Sequence, residues 1–525
     1  MMKTHIRSKK NLIYPFLFLI AFLPRIYRIQ ETPIYTDEIT WMVRAKETFL
    51  AIRTLNRTHI INYFKSDNAW WNNKTDTEAI ALPLVYISGP FIAYLGNGSV
   101  LSRNVMAEYT AGRIPLAFVN SLTVIIFFLM TKKSFGNRVS FILSYFYALD
   151  PINLANSRLI MNDGLLCFFM LLTVYAFFYI ENKSISIVIS SLALAFGFLT
   201  KPIGILPVFA WLTYLLITNH KKETFVKIIK ICLFTLFSIL ILWPESWFNP
   251  VVSIFEYLFR QIRLTQTSTA IYFMGQATKD VPVYYYVVHM FLRMPIYILA
   301  ALVFSIIMLI RLLGIKGIRE ISRSQSVEVS LFIFAIFLYL ILALSSKKSG
   351  IRYLLPIWPF IYYFSAVFYK YFNITLKKNS FLKAILVFSI IICTFTVYKY
   401  NPSYDYYVNE FFRRSDMSQE YISVGLCYGA KESADFIKKC FPSEGSVTYI
   451  GCASTVVPYY YSGNLSREVN KNKIIIIEEY YTQMGYVSED IYKIVNEVEP
   501  VFLENNGIIL SRLYNIGMKE DNKCL

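Results

Sequence analysis

The feature that most constrains this chain is a long series of apolar runs that are almost free of charge. Many of these runs cover roughly 15–20 residues, and a helix of roughly 20 apolar residues crosses the hydrocarbon core of a bilayer. The runs lie near 11–29, 110–131, 137–150, 163–180, 185–199, 203–218, 231–247, 285–310, 329–346, 352–369 and 384–398. Charged residues make up only 16% of the 525-residue chain, whereas soluble domains contain about 25%. The sequence therefore predicts a mainly α-helical, polytopic membrane protein with about eleven transmembrane helices.

The distribution of charge predicts how the chain is oriented. The net charge of +18 comes from Lys and Arg residues that fall mainly in short loops between the apolar runs, as in the cytoplasmic loops of membrane proteins. All of these loops lie on the cytoplasmic side if the N-terminus is cytoplasmic and the short apolar segment 80–95 lies along the membrane interface without crossing the membrane. The chain is therefore expected in the cell membrane, with the lipid bilayer as a partner and its tail extracytoplasmic. Because the cations are not concentrated on a polar domain, no nucleic-acid partner is expected.

The chain divides into two predicted domains. Residues 1–398 form a transmembrane domain, whose first extracytoplasmic loop (30–109) contains juxtamembrane helices. Residues 399–525 are more polar and alternate helical with β-type patterns, which is typical of a small α/β domain. The helical segments are 430–440 and 482–497, and the β-type runs are 446–452, 473–478 and 507–513.

The cysteines and histidines show no spacing typical of a metal site. Cys427, Cys440 and Cys452 lie in the tail, where a disulfide is compatible with an extracytoplasmic location, but their pairing stays open. The sequence contains no HExxH motif and no pair of Asp residues separated by one position. We therefore expect no cofactor, and leave open a divalent metal.

Two adjacent carboxylates, Asp37 and Glu38, follow the first apolar run closely. A carboxylate just outside a membrane helix suits general-base work on an acceptor hydroxyl. The structural alternative is that Thr36 or Asp37 caps a helix over 38–50, with an acid in its first turn. The residues alone leave both interpretations open.

A second acidic position, Asp163, opens the apolar run 163–180, and Arg158 precedes it by five residues. An ionisable residue at the edge of a span is by default a candidate functional residue. The alternative is an interfacial cap on the helix that follows.

Several cations stand at predicted outer membrane edges, against the general bias: Lys201, Lys347, Lys348 and Arg352. A lipid-linked phosphate would explain them, because Arg binds phosphate with a bidentate fork and Lys acts as a point charge. The alternative is that these side chains reach towards lipid headgroups. That alternative accounts for one such residue better than for four.

Taken in order, these segments resemble the GT-C superfamily, in particular its protein O-mannosyltransferase and aminoarabinose transferase group. The similarity extends over nearly the whole chain. The motifs that carry it are 24–28 (PRIYR), 36–38 (TDE), 80–95, 111–115 (AGRIP), 135–136 (FG), 157–163 (SRLIMND), 198–202 (FLTKP), 243–247 (WPESW), 273–276 (FMGQ) and 347–356 (KKSGIRYLLP).

The resemblance implies a GT-C-type bundle and an inverting transfer of a sugar from a polyprenyl-phosphate donor, dolichyl or undecaprenyl, without a nucleotide. It implies that Asp37 deprotonates the acceptor hydroxyl, that Glu38 orients it, and that Asp163 shapes the acceptor or sugar pocket together with Arg158. The residues that it implies for carrier and substrate binding are Lys201, Arg352, Lys347, Lys348, Tyr353 and Gln276. The acceptor is a lipid, a glycan or a protein. The tail lacks the β-trefoil insert of eukaryotic protein mannosyltransferases, which weakens the case for a protein.

Three other functions are compatible with parts of the sequence. A flippase or secondary transporter for lipid-linked sugars would place ionisable residues near mid-span and contain inverted repeats, whereas here they gather at the outer edges. An oligosaccharyltransferase-like enzyme would carry a Trp-Trp-Asp-Tyr-Gly signature, but Trp70-Trp71 is followed by Asn72-Asn73. A non-enzymatic scaffold would leave the outer acids without a role.

Overall fold

The computed structural model describes residues 12–56, 58, 81–96, 105–247, 249–266, 270–316, 325–344, 350–376, 380–412, 425, 427–440, 447–452, 456–461, 465–466, 474–506 and 508–516. The chain forms two compact units, each assembled from three stretches of sequence. The first, here called the helical unit, consists of Met1–Gln30, Trp41–Thr267 and Met294–Asp405. The second, here called the α/β unit, consists of Glu31–Thr40, Ser268–Arg293 and Tyr406–Leu525. The α/β unit therefore includes the segment that carries Asp37.

Helices dominate the described part of the chain. In chain order they are α1 Ile13–Ile26, α2 Thr36–Ile52, α3 Leu82–Leu95, α4 Val105–Phe135, α5 Asn137–Ala148, α6 Pro151–Ser157, α7 Asn162–Tyr179, α8 Lys183–Thr200, α9 Pro207–Ile217, α10 Lys221–Leu242, α11 Pro250–Gln266, α12 Tyr285–Arg293, α13 Ile296–Lys316, α14 Ser326–Leu344, α15 Trp358–Leu376, α16 Ser380–Tyr400, α17 Ala430–Cys440, α18 Glu479–Gln483 and α19 Glu489–Val495. The strands are β1 Ile271–Phe273, β2 Gln276–Thr278, β3 Val447–Ile450, β4 Leu465–Ser466, β5 Ile474–Glu478, β6 Val501–Asn505 and β7 Ile508–Asn515.

The predicted apolar runs correspond to helices, with differences in some runs. The runs 203–218 and 352–369 begin, and the run 231–247 ends, in a short 3₁₀ turn. The run 285–310 is two helices, α12 and α13, which are separated at Met294-Pro295. Proline has no amide hydrogen and disfavours helical conformation in the residue before it, so the helix ends there. Among the described residues, six helices are long and apolar enough to cross a membrane: Met106–Phe135, Asn162–Tyr179, Lys183–Thr200, Lys221–Leu242, Ser326–Leu344 and Lys383–Tyr400.

The long helix α4 is central to the helical unit, since it packs against α1, α3, α5 and α7. Helix α8 packs between α7 and α10, and α13 packs against α15. At Gly112 of α4 the ends of the Ile160 and Ile92 side chains fill the space beside the glycine, 2.6 Å and 2.9 Å from where a Cβ would lie. Small residues at helix contacts are typical of membrane bundles, because they let backbones approach each other.

The α/β unit contains a five-stranded sheet with the order β4-β3-β5-β7-β6. Strands β4, β3 and β5 are parallel, whereas β7 pairs antiparallel with both β5 and β6. The central strand β5 is fully buried, as expected of a continuous apolar run. A separate hairpin, β1-β2, turns through Met274 and Gly275, which both have positive φ angles (53° and 84°), as two-residue hairpin loops require. The predicted fold class, a mainly helical protein with a small C-terminal α/β region, is confirmed.

Candidate active site

Asp37 and Glu38 lie in the first turn of α2, within the α/β unit. The helix begins at Thr36, and the Tyr35 carbonyl accepts hydrogen bonds from the amides of Glu38 and Ile39 at 3.0 and 3.3 Å. Thr36 and Asp37 are therefore inside the helix and not at its cap, two residues earlier than the expected start at 38. The amide dipoles at a helix N-terminus favour negative charge. Glu38 is fully buried, and Asp37 is half-buried.

The residues before Asp37 contact the C-terminal part of the α/β unit. The Ile34 amide donates to the Tyr460 hydroxyl oxygen at 2.7 Å, and the Thr36 hydroxyl lies 2.8 Å from Cys427 Sγ. Cys427 forms a disulfide with Cys452, with a Cα–Cα distance of 5.5 Å. The disulfide left open by the sequence is thus present.

Asp163, Lys201, Arg352 and Tyr353 come together in the helical unit, and we call them the Asp163 cluster. Lys201 Nζ lies 2.5 Å from Asp163 Oδ1, and Arg352 Nε lies 4.0 Å from Oδ2. The Tyr353 ring lies beside both cations, 5.1 Å from Lys201 Nζ and 5.5 Å from the Arg352 guanidinium carbon. The Asp163 side chain is 6% exposed, but those of Lys201 and Arg352 are 20% and 31% exposed. The cations are therefore accessible while their carboxylate partner is not.

Local backbone features place these side chains. Lys201 follows the last residue of α8 directly, and the next turn brings Gly204 so close to Gly197 that an added Cβ would lie 2.1 Å from the Gly197 carbonyl oxygen. Arg352 and Tyr353 lie in a short 3₁₀ turn that starts after Gly350, whose φ of 153° favours glycine. Two tight turns therefore hold the cations of the Asp163 cluster.

Arg158 has other partners than Asp163. Its guanidinium is buried, donates to the Tyr27 carbonyl at 2.9 Å and lies 5.3 Å from the centre of the Tyr404 ring. Burial lowers the pKa of Arg158 to about 10, which leaves it charged at neutral pH. The second buried arginine of this region, Arg113, donates to the Ile29 carbonyl at 3.1 Å. Both side chains thus bind the backbone between α1 and the Asp37 segment.

Arg113 and Tyr460 have no role among those predicted from the sequence. The signal for Arg113 was available, because a charged residue inside an apolar run is by default a functional candidate. Tyr460 carried no such signal, since its partner is a backbone amide far away in the sequence. Gln276 is exposed in β2 of the α/β unit. Lys347 and Lys348 lie outside the described residues.

A metal site is not favoured at the one suitable cluster of side chains in the described ranges. Cys427, Cys452 and Glu478 bring their ligand atoms within 4.8 Å of one another. The two cysteines are joined in a disulfide, however, and metals bind the free thiolate. These residues therefore do not fit a metal ion.

Comparison with known proteins gives a family match over part of the chain and a shared fold. Residues 89–248 match the family model described as dolichyl-phosphate-mannose-protein mannosyltransferase. The structure is similar to that of ArnT from Cupriavidus metallidurans, solved bound to undecaprenyl phosphate, with a TM-score of 0.50 and 11% sequence identity over 96% of this chain and 98% of ArnT. The chain has a GT-C fold. The predicted resemblance is confirmed.

A second solved structure with similarity to this GT-C chain is the archaeal oligosaccharyltransferase AglB from Archaeoglobus fulgidus. Its complex with an inhibitory peptide and a dolichol-phosphate gives a TM-score of 0.46 at 13% identity, over 97% of this chain and 74% of AglB. No curated protein matches the sequence. The family match covers residues 89–248, and the likeness to ArnT shows the fold.

Proposed function

We propose that this chain transfers a sugar from a polyprenyl-phosphate carrier to an acceptor hydroxyl on the extracytoplasmic side of the membrane. The observation that carries the proposal is the Asp163 cluster, where Lys201 and Arg352 converge on one buried carboxylate. The matched family is named for a dolichyl-phosphate-linked sugar, and ArnT was solved with undecaprenyl phosphate. Both names support the same class of donor.

The charge of the Asp163 cluster suits such a donor. Two cations and one carboxylate leave one net positive charge, and a polyprenyl-phosphate sugar is a phosphodiester with one negative charge. When the bond between the sugar and the phosphate breaks, the leaving polyprenyl phosphate gains a second negative charge. Cations fixed beside that oxygen stabilise the developing charge, the effect that commonly contributes most to catalysis. The tight contact with Asp163 keeps Lys201 oriented before the donor arrives.

In the proposed reaction Asp37 is the general base. Its carboxylate accepts the proton of the acceptor hydroxyl, and the oxygen attacks the anomeric carbon of the sugar. A new carbon–oxygen bond forms as the bond to the phosphate oxygen breaks, which inverts the configuration at that carbon. Glu38, buried in the same helical turn, orients Asp37. The acceptor is a lipid, a glycan or a protein, and the sugar a hexose or a pentose.

The proposed side of the membrane rests on two observations. Disulfides persist in oxidising compartments outside the cytoplasm, and the α/β unit contains Cys427–Cys452. The loops rich in Lys and Arg follow the cytoplasmic bias when the N-terminus is cytoplasmic. Labelling of single cysteines in intact cells tests this orientation. A residue within 219–230 that reacts with an impermeant reagent would overturn it.

The transferase activity is tested with purified protein in liposomes, a radiolabelled polyprenyl-phosphate sugar and a membrane extract as the source of acceptor. Asp37→Asn is expected to abolish transfer, while the matched control Glu47→Gln, in the same helix, retains it. Lys201→Met is expected to lower donor affinity at least tenfold, since it removes a charge-assisted contact. Its matched control is Lys183→Met, which removes a lysine whose side chain is 84% exposed.

Three results would contradict the proposal in different ways. Full activity of Asp37→Asn would remove the assignment of the base. Unchanged donor affinity in Lys201→Met would remove the carrier site from the Asp163 cluster. Movement of the labelled donor across the bilayer without formation of a new glycoside would favour the flippase instead.

A further inference from the structure

Three consecutive residues immediately before Asp37 each contact a different residue of the C-terminal stretch of the α/β unit. Ile34 donates its amide hydrogen to the Tyr460 hydroxyl oxygen at 2.7 Å. The Tyr35 ring meets the Tyr428 ring edge-on, with 5.0 Å between centroids. The Thr36 hydroxyl lies 2.8 Å from Cys427 Sγ. Since a disulfide sulfur carries no hydrogen, Thr36 is the donor of that contact.

The three receiving residues are linked to one another through the Cys427–Cys452 disulfide and the hydrogen bonds that follow it. Cys427 and Tyr428 are neighbours in sequence, and the disulfide joins Cys427 to Cys452. From Cys452 the backbone continues by hydrogen bonds, because the Cys452 carbonyl accepts from the Val457 amide and the Val457 carbonyl accepts from the Tyr460 amide, at 3.2 and 2.9 Å. The disulfide thus connects the contacts to Tyr35 and Thr36 with the contact to Ile34.

Each contact has a buried residue on at least one side, whereas Thr36, Tyr428 and Tyr460 are half-buried. Ile34, Cys427 and Cys452 are at most 5% exposed, and Tyr35 is 8% exposed. A buried amide without an acceptor loses free energy comparable to a lost hydrogen bond. The Tyr460 hydroxyl oxygen provides that acceptor for Ile34. The segment is therefore held by its own backbone as well as by its side chains.

We propose that the C-terminal part of the α/β unit is a positioning element for the catalytic base, and that Tyr460 and the Cys427–Cys452 disulfide hold residues 34–36 so that Asp37 keeps a fixed orientation. This inference rests on the proposed function, in which Asp37 is that base. Rates are sensitive to small displacements of a reacting group, and an error of about 1 Å costs on the order of 100-fold. Asp37 lies in the first turn of α2, directly after the irregular residues 32–35. Such a position benefits from support, because loops hold side chains less firmly than the interior of helices and strands.

The experiment uses the full-length protein and two matched pairs of variants. Tyr460→Phe removes the acceptor of the Ile34 amide, and Tyr461→Phe removes the neighbouring hydroxyl as a control. Thr36→Val removes the donor to Cys427 Sγ, and Thr36→Ser keeps it. We expect kcat to fall about tenfold in Tyr460→Phe and Thr36→Val, with near-normal values in the two partner variants. KM for the polyprenyl-phosphate sugar is expected to stay close to that of the wild type. The Tm of Tyr460→Phe is expected to fall slightly, because the Ile34 amide loses its acceptor.

Amide hydrogen exchange on the same samples measures positioning independently of turnover. Peptides that cover residues 34–40 are expected to exchange faster in Tyr460→Phe than in the wild type or Tyr461→Phe. Unchanged exchange or an unchanged kcat would overturn the positioning role. A fall in kcat accompanied by an equal rise in donor KM would overturn it as well. Failure of the proposed function looks different, because it requires either a wild type without transferase activity or an active Asp37→Asn variant.

Discussion

Glu478 gives the α/β unit a pH dependence that can be derived from its surroundings. This residue ends the buried strand β5 and is 1% exposed. Its Oε1 accepts hydrogen bonds from the Tyr449 hydroxyl at 2.6 Å and from the Cys452 amide at 3.0 Å. A charged carboxylate is costly to bury, whereas the neutral acid can keep both hydrogen bonds.

The size of the effect follows from the pKa. Burial raises the pKa of Glu478 from its usual 4.5 to about 7, although the two hydrogen bonds act in the opposite direction. One pKa unit corresponds to about 1.4 kcal/mol, so this rise corresponds to about 3 kcal/mol. The folded state binds the proton more tightly than the unfolded state. Its contribution to stability is therefore fully present below pH 4.5 and is lost as the pH rises through about 7.

The substitution Glu478→Gln isolates this contribution, because glutamine has the shape of the protonated acid and keeps an oxygen acceptor at every pH. Amide hydrogen exchange of β3 and β5 in the full-length protein gives the free energy of local opening. Between about pH 4.5 and pH 8, we expect the free energy of local opening to fall by about 3 kcal/mol more in the wild type than in the variant. The control Glu504→Gln changes an exposed acid of β6 and is expected to behave as the wild type. Identical pH profiles for the wild type and Glu478→Gln would refute the reasoning.

Two further predictions concern the helical unit. Lys46 and Glu108 form a buried ion pair at 2.6 Å, so Lys46→Met or Glu108→Gln alone is expected to destabilise the protein by about 3–5 kcal/mol. The double variant is expected to lose less than the sum of the two, and thermal unfolding in detergent measures each loss; additive losses would contradict a direct pair. Gly204→Ala places a Cβ 2.1 Å from the facing carbonyl oxygen. This substitution is expected to displace Lys201 and to weaken the binding of polyprenyl phosphate. Titration of the variant with that lipid measures the affinity. An affinity equal to that of the wild type would contradict a role of this turn in placing Lys201.

The helices could be predicted from the sequence because a bilayer imposes length and apolarity on each crossing segment. The strands were harder to predict. The runs that became β3, β5 and β7 are apolar enough to be recognised, but β4 has only two residues and β6 lies at the sheet edge with Val501 and Phe502 exposed. Their extended conformation comes from pairing with β3 and β7, and propensity alone does not give such strands.

The Asp163 cluster was only partly predictable from the sequence. Lys201 and Arg352 stood out as exceptions to the charge bias, and Asp163 as an acid at the edge of a span. Which residues meet was beyond sequence reasoning, because the contacts depend on the two turns at Gly204 and Gly350. The resemblance to GT-C enzymes implied a shared role for Arg158 and Asp163. The structure instead gives Arg158 a partner 131 residues away, the Tyr27 carbonyl.

The backbone between α1 and α2 has carbonyl and amide groups that bond to side chains from distant parts of the sequence. The last carbonyls of a helix have no partner within that helix, and at the end of α1 Arg158 supplies a donor to Tyr27, while Arg113 supplies one to Ile29 in the turn that follows. Beyond that turn the Ile34 amide donates its hydrogen to a side-chain acceptor, the Tyr460 hydroxyl oxygen. A side-chain donor therefore faces each of these carbonyls, and a side-chain acceptor faces the amide. Held in this way, the irregular segment before α2 can keep the first-turn carboxylate of Asp37 in a constant orientation.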